Sequence, residues 1–214
     1  MNAYPAESTR PPALPGFSHI NRYWDATNGV HAAKILPGEY YVSTHGEMVT
    51  TVLGSCIAAC IRDRDLGIGG MNHFMLPAND GDADRMWGGL GPTAATRYGN
   101  YAMEHLINGL LRLGARREHL EVKLFGGGRV LDIGMDIGKR NAAFARAYVA
   151  KENLMLVAED TEGCWPRKVN YYPATGQARM KKLKSLRNET LAQREKSYLD
   201  SLASIPAKTD IELF

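Results

Sequence analysis

Cysteine is scarce. The chain has three in 214 residues, an odd number that argues against a disulfide framework. Cys56 and Cys60 on one strand would stand about 13 Å apart at ~3.3 Å per residue, too far to bridge. No apolar run approaches the ~18 residues of a membrane-spanning helix. The N-terminal MNAYPAESTRPPALPGF lacks the apolar core of a secretory signal. Charge of one sign is also lacking: the net charge is +3 and the pI near 8.7. That balance permits an acidic partner surface, but no zinc finger, basic helical region or RNP-type aromatic pattern supports nucleic-acid binding. The glycine run Gly126, Gly127, Gly128 has no G-K-[ST] after it and lacks the G-x-G-x-x-G spacing, so neither a phosphate loop nor a dinucleotide fold is indicated. These absences predict a protein of the reducing cytoplasm, without membrane insertion, nucleic acid or cofactor.

What is present suffices for a core: 44% of residues are hydrophobic, and the length suits one domain with tails. Residues 1–31, rich in Pro and polar residues, read as a mobile tail or an arm lying on the domain. The domain proper spans 32–183, and 184–214 form a charged, helix-prone C-terminal piece. Glu39–Ser43 and Met48–Leu53 read as strands around a His45-Gly46 turn. Thr93–Leu113 has helical spacing, with Thr93 as cap and Gly114 as stop. Leu120–Leu124 alternates as a strand. Asn141 is placed to cap a helix over Ala142–Glu152, a strand follows at Leu154–Ala158, and Lys168–Tyr172 pairs with Gln177–Lys182. Without strict β-α-β alternation, the fold expected is an α/β (α+β) sandwich of mixed, largely antiparallel sheets with packed helices, in a single domain. The Gly-rich segment after Pro77, with Trp87 at its middle, is expected to be a flap. The tail from Lys181 to Leu202 has Leu183, Leu186 and Leu191 as its apolar points and reads as a solvated helix or a docking helix, the former preferred.

The chain is organised around Thr50–Pro77. Cys56 follows a Gly-Ser turn and His73 precedes a proline, with two apolar runs and a charged turn at Asp63–Asp65 between them. A hairpin centred between Arg64 and Asp65 places Cys56 opposite His73, with Cβ atoms about 4.5–5.5 Å apart. Centring it between Asp65 and Leu66 makes them diagonal on the same face; a one-residue slip would separate them. Only a thiolate attacks, and a free thiol with a pKa near 8.5 is mostly protonated at neutral pH, so a neighbouring imidazole base is what the chemistry needs. The competing reading of Cys56 is a small buried hydrophobe. Asn72 faces away from His73 if the strand is regular. Glu159 and Asp160 diverge as strand neighbours, so a partner contact for Arg167 is a simpler role for them than acid–base chemistry.

The run LGSCIAAC followed by GIGGMNHFMLP, then FGGG at 125–128, IGKRN at 137–141 and AEDTEG at 158–163, resembles the CheD family, the chemoreceptor glutamine deamidases of bacterial chemotaxis. The motifs keep the family's order across roughly Gly38–Lys182. The resemblance implies cysteine-nucleophile deamidation of receptor glutamines, with Cys56 as nucleophile, His73 as base and Thr50 completing the catalytic set; Thr51 is the register alternative. Backbone N–H groups of the Gly54–Ser55–Cys56 turn are expected to hold the oxyanion, and Gly126, Gly127 and Gly128 to line the substrate cleft. Methyl-accepting chemoreceptors are the implied substrate, and a CheC-type phosphatase an implied partner. Glu162 stands where the family usually has glycine. The alternatives are a toxin-like deamidase or transglutaminase, a catalytically idle adaptor that docks on receptors or on a CheC-type phosphatase, and a zinc site of Cys56, Cys60, His73 and Cys164, which needs four convergent ligands.

Overall fold

The computed structural model of the chain describes residues 11–77, 94–130, 136–184 and 189–203. Among the described residues ten strands form two five-stranded sheets. In chain order the strands are β1 (Asn21–Asp25), β2 (Val30–Lys34), β3 (Tyr40–Ser43), β4 (Met48–Leu53), β5 (Ile57–Asp63), β6 (Gly69–Asn72), β7 (Leu120–Gly126), β8 (Met155–Thr161), β9 (Arg167–Tyr172) and β10 (Gln177–Lys182). The helices are α1 (Ala94–Arg112), α2 (Ile137–Lys151) and α3 (Glu189–Ala203). One sheet runs β1-β2-β4-β9-β10 and the other β3-β6-β5-β7-β8. The pairs β2–β4 and β7–β8 are parallel and the rest antiparallel. The expected mixed sandwich in a single domain is what is found.

Burial explains the layering. Strand β5 is apolar and buried on both faces, as a central strand must be when both sides are covered. Helices α1 and α2 pack against β3, β5, β6, β7 and β8 on one side. On the other side the first sheet contributes Val169 and Tyr171 of β9, an alternating strand with one buried face. A single apolar cluster joins both sheets and the helices.

Two expectations are corrected and one choice is decided. Of the tail and the arm offered for segment 1–31, the described part is an arm on the domain: Phe17 and Ile20 are buried, β1 pairs with β2, and Arg22 forms a buried ion pair with Glu47. Its aromatic and β-branched residues gain more from burial than the Pro-rich composition suggested. Helix α2 starts four residues before Asn141; Asp136 caps it, its carboxylate accepting from Lys139 N. The C-terminal piece is not a solvated helix, because α3 buries Glu195, Leu199 and Leu202. The flap with Trp87 and the cap Thr93 lie outside the described residues.

Candidate active site

The β5–β6 hairpin takes the second of the two anticipated registers. Cys60 pairs with Met71, Ile61 with Gly70, and beyond the strands Ile57 bridges Phe74. Cys56 and His73 are therefore diagonal on one face. Both flank the hairpin end, and both are buried. Backbone bonds between Ile57 and Phe74 in both directions (2.9 and 3.0 Å) and from His73 N to Glu39 O (2.9 Å) fix the two positions.

Thr51, not Thr50, meets the imidazole. Its Oγ1 lies 2.8 Å from His73 Nδ1 and donates to the Ile35 carbonyl at 2.8 Å. A hydroxyl has one proton to give. With that proton on Ile35, Oγ1 accepts from Nδ1–H, which leaves the Nε2 lone pair free. Nε2 is buried and has no hydrogen-bond partner among the described residues, so its lone pair is unengaged. Thr50 faces the opposite way, as strand alternation requires. Its hydroxyl is 3.1 Å from Val169 O and 2.7 Å from Asn170 Oδ1, in the β4–β9 pairing.

The turn before Cys56 is braced from behind. Gly128 N donates to Gly54 O (2.7 Å), Asn141 Nδ2 to Ser55 O (2.8 Å), and Gly127 N to Cys56 O (2.7 Å). With three successive carbonyls held on one side, the N–H groups face the other. Gly54 N and Ser55 N each donate at 2.8 Å to the Glu195 carboxylate, Ser55 Oγ donates to it at 2.6 Å, and Cys56 N is 3.5 Å away. This is an anion-binding nest built of backbone dipoles. The backbone N–H groups of Gly127 and Gly128 therefore hold the turn that carries Cys56. Gly126 and Gly127 have φ of 114° and 64°, and a Cβ on Gly126 would lie 2.2 Å from Cys56 O, so glycine is required there.

The electrostatics follow from burial. The Cys56 thiol is pushed well above its ordinary range by burial and then by the Glu195 charge beside it. Burial, with the nearby Arg194 charge, lowers His73 to about 3. Both groups are therefore neutral at pH 7 with Glu195 in place. A cleft of about 230 Å³ opens beside His73 and Thr51, walled by Ile35, Leu36 and, from α3, Leu191 and Arg194.

A family model described as CheD chemotactic sensory transduction matches residues 75–182. Three relatives extend the match over nearly the whole chain, each bearing the name "Probable chemoreceptor glutamine deamidase CheD". That from Halorhodospira halophila is 56% identical over 206 residues, 96% of this chain and 95% of the relative. That from Saccharophagus degradans is 50% identical, covering 98% and 96%. That from Hahella chejuensis is 46% identical over the full length of both. The chain belongs to the CheD family.

Asn72 does not hold His73: its Oδ1 accepts from Ala59 N and its Nδ2 donates to Ala102 O. Asp160 pairs with Arg167 at 3.0 Å, and Glu159 with Arg146 at 3.0 Å. The four-residue zinc set is not assembled. Cys60 is buried in β5 and Cys164 is exposed in a loop, while the ligand atoms that converge within 4.8 Å belong to Cys56, His73 and Glu195. Glu195 and Asn141 are the residues that sequence reasoning missed. Asn141 reads from the sequence as a helix cap. Glu195 was hidden in a charged tail, although Leu191, Ala192, Tyr198, Leu199 and Leu202 mark an apolar helical face around it. No described helix is long and apolar enough to cross a membrane.

Proposed function

We propose that this chain hydrolyses glutamine side-chain amides of chemoreceptors to glutamate, with Cys56 as nucleophile and His73 as base. The observation that carries the reading is the convergence of three elements on one point. They are a thiol, a histidine whose Nε2 is freed by the Thr51 hydroxyl, and a row of backbone N–H groups aimed beside the sulfur. When a glutamine carboxamide enters, His73 Nε2 takes the thiol proton and the thiolate adds to the amide carbon. Negative charge grows on the amide oxygen, where the Gly54 and Ser55 N–H groups are already oriented and need no reorganisation. The C–N bond breaks as His73 returns the proton, and ammonia leaves. Water, deprotonated by the same nitrogen, splits the thioester, giving glutamate and the free thiol. The family membership and the names of the full-length relatives support receptors as the substrate class, and reaction on a receptor's signalling segment is a cytoplasmic event.

The test is deamidation of a purified chemoreceptor signalling domain, followed site by site by peptide mass spectrometry. Wild type is expected to convert specific glutamines. Cys56→Ala and His73→Ala are expected to fall by at least ~10³-fold, since nucleophile and base act as a unit. Conversion that persists in Cys56→Ala would overturn the assignment. Receptor binding without conversion by wild type would favour a docking adaptor.

A further inference from the structure

We propose that α3 is an internal occupant of the substrate site, with Glu195 seated where the side chain of a newly deamidated helical glutamine would sit. The inference rests on the deamidase reading of Cys56 and deepens it, because the product of that reaction is itself a glutamate side chain.

The sequence of α3 already poses the question. Ala192, Tyr198, Leu199 and Leu202 form its packed face, half-buried Leu191 continues that face along the cleft, and Glu195, fully buried, is at the centre of it. A carboxylate among apolar neighbours is costly unless its oxygens are satisfied. Here they take two backbone N–H groups and a hydroxyl at 2.6–2.8 Å, with the Cys56 N–H at 3.5 Å. The helix therefore docks by the one residue that its apolar pattern would exclude, and it docks on the donors that serve an oxyanion.

The receiving surface is shaped for such a side chain. A Cβ on Gly54 would lie 2.7 Å from both Glu195 carboxylate oxygens. Gly54 is not among the positive-φ glycines, so space for an incoming carboxyl or carboxamide is the reason for glycine there. Gly38, whose φ of 86° already favours glycine, also borders Tyr198, a Cβ there falling 2.8 Å from the Tyr198 hydroxyl. That hydroxyl contacts the Tyr98 hydroxyl of α1. The groove thus accepts a helix with aliphatic residues four before and four after the reacting position (Leu191 and Leu199) and an aromatic hydroxyl three after it (Tyr198). Occupied in this way the site is silent. Its N–H donors are taken, Cys56 is covered, and the thiol is held protonated by burial and by the adjacent carboxylate. A receptor helix must displace a tethered competitor whose local concentration is about millimolar.

The decisive variant is Glu195→Gln in the full chain, which puts a carboxamide where the carboxylate sits. The Cys56 thiolate then adds to the side-chain carbonyl carbon of the introduced glutamine, the C–N bond breaks, ammonia departs with the proton from His73, and water releases the acid. Peptide mass spectrometry is expected to show the introduced amide becoming a carboxylate, a gain that restores the wild-type peptide mass. The rate should be independent of protein concentration, and the amide should persist when Cys56→Ala is added. Persistence of the amide in a chain that still deamidates receptor glutamines overturns the docking register and leaves the enzyme reading intact. Failure of both conversions overturns both. Glu195→Ala supplies an independent readout on receptor substrate. With a site open one-tenth of the time, KM is raised about tenfold by the closed fraction. The variant is therefore expected to lower KM by about that factor with kcat little changed. A fall in kcat would make Glu195 part of the catalytic machinery and overturn the proposal.

Discussion

The smallest decisive unit of the site is one hydroxyl. Thr51 Oγ1 donates a hydrogen bond to Ile35 O and accepts one from His73 Nδ1–H, and this pairing selects the tautomer whose Nε2 lone pair is free, as the proposed base requires. Thr51→Val keeps the shape and removes the selection. A buried hydrogen bond to a group that becomes charged is worth ~1.5–3 kcal/mol, or about ten- to a hundredfold in rate. Receptor deamidation by Thr51→Val is expected to lose that much in kcat, with KM nearly unchanged. Thr50→Val should leave kcat alone and lower stability by ~1 kcal/mol, the value of an ordinary buried hydrogen bond, because Thr50 faces Val169 and Asn170. Steady-state kinetics beside urea denaturation would check both; the reverse pattern would restore Thr50 to the site. Distance from the cysteine favours Thr50 and leaves Thr51 as the register alternative, whereas the structure sets Thr51 against His73. Two consecutive β-branched residues have the same strand preference, and what separates them is the pairing of β4 with β9, more than a hundred positions away along the chain.

At the scale of elements, a rigid turn is made by three donors arriving from behind. Gly127 and Gly128 come from the end of β7 and Asn141 from α2. Asn141 also accepts from Leu76 N at 2.9 Å through Oδ1, so one amide joins the Cys56 turn to the segment after His73. Asn141→Asp retains the acceptor for Leu76 and loses the donor for Ser55. It is expected to cost ~1–3 kcal/mol, the penalty of an unsatisfied buried carbonyl, and to lower kcat more than it raises KM, because the N–H row loses its aim. Denaturant midpoints and kinetics on the receptor domain would show it, and an unchanged kcat would reduce the brace to a folding role. Elements with one dominant period were legible in the sequence: β4, α1, β7 and the β9–β10 hairpin fall within a residue or two of where the pattern placed them. The hairpin register was legible as a choice of two, because its turn has no Asn-Gly or Asp-Gly to pin it. The N-terminal strands and α3 were misread for opposite reasons. Prolines nearby masked the apolar content of β1 and β2, and in α3 the glutamate that gives the helix its place interrupts the apolar face that would have disclosed its burial.

For the whole molecule, the burial of Cys56 and His73 couples protonation to stability. His73 in the folded chain titrates at about 3 instead of 6.5, because burial and Arg194 disfavour its charged form. Between those values the unfolded chain binds a proton that the folded chain refuses, so stability is fully present above pH 6.5 and is lost as the pH falls toward 3, at up to ~1.4 kcal/mol per pH unit. His105, also lowered by partial burial, adds to the same limb, whereas Asp25 and Asp63, held below 3.8 by backbone N–H bonds that outweigh their burial, act at lower pH. On the alkaline side the signs reverse. Cys56, Cys60, Tyr171 and Tyr198 are all raised by burial. The folded chain keeps protons that the unfolded chain releases above pH 9–10, and stability declines from there upward. Urea midpoints measured across pH should therefore form a plateau between about 6.5 and 9 with both flanks falling. His73→Gln, neutral at every pH, should flatten most of the acid flank above pH 4 and leave the alkaline one in place. An acid flank of undiminished slope in that variant would mean that His73 is solvated and protonated in the folded protein, and that the closed site in which it faces Glu195 is not the resting state.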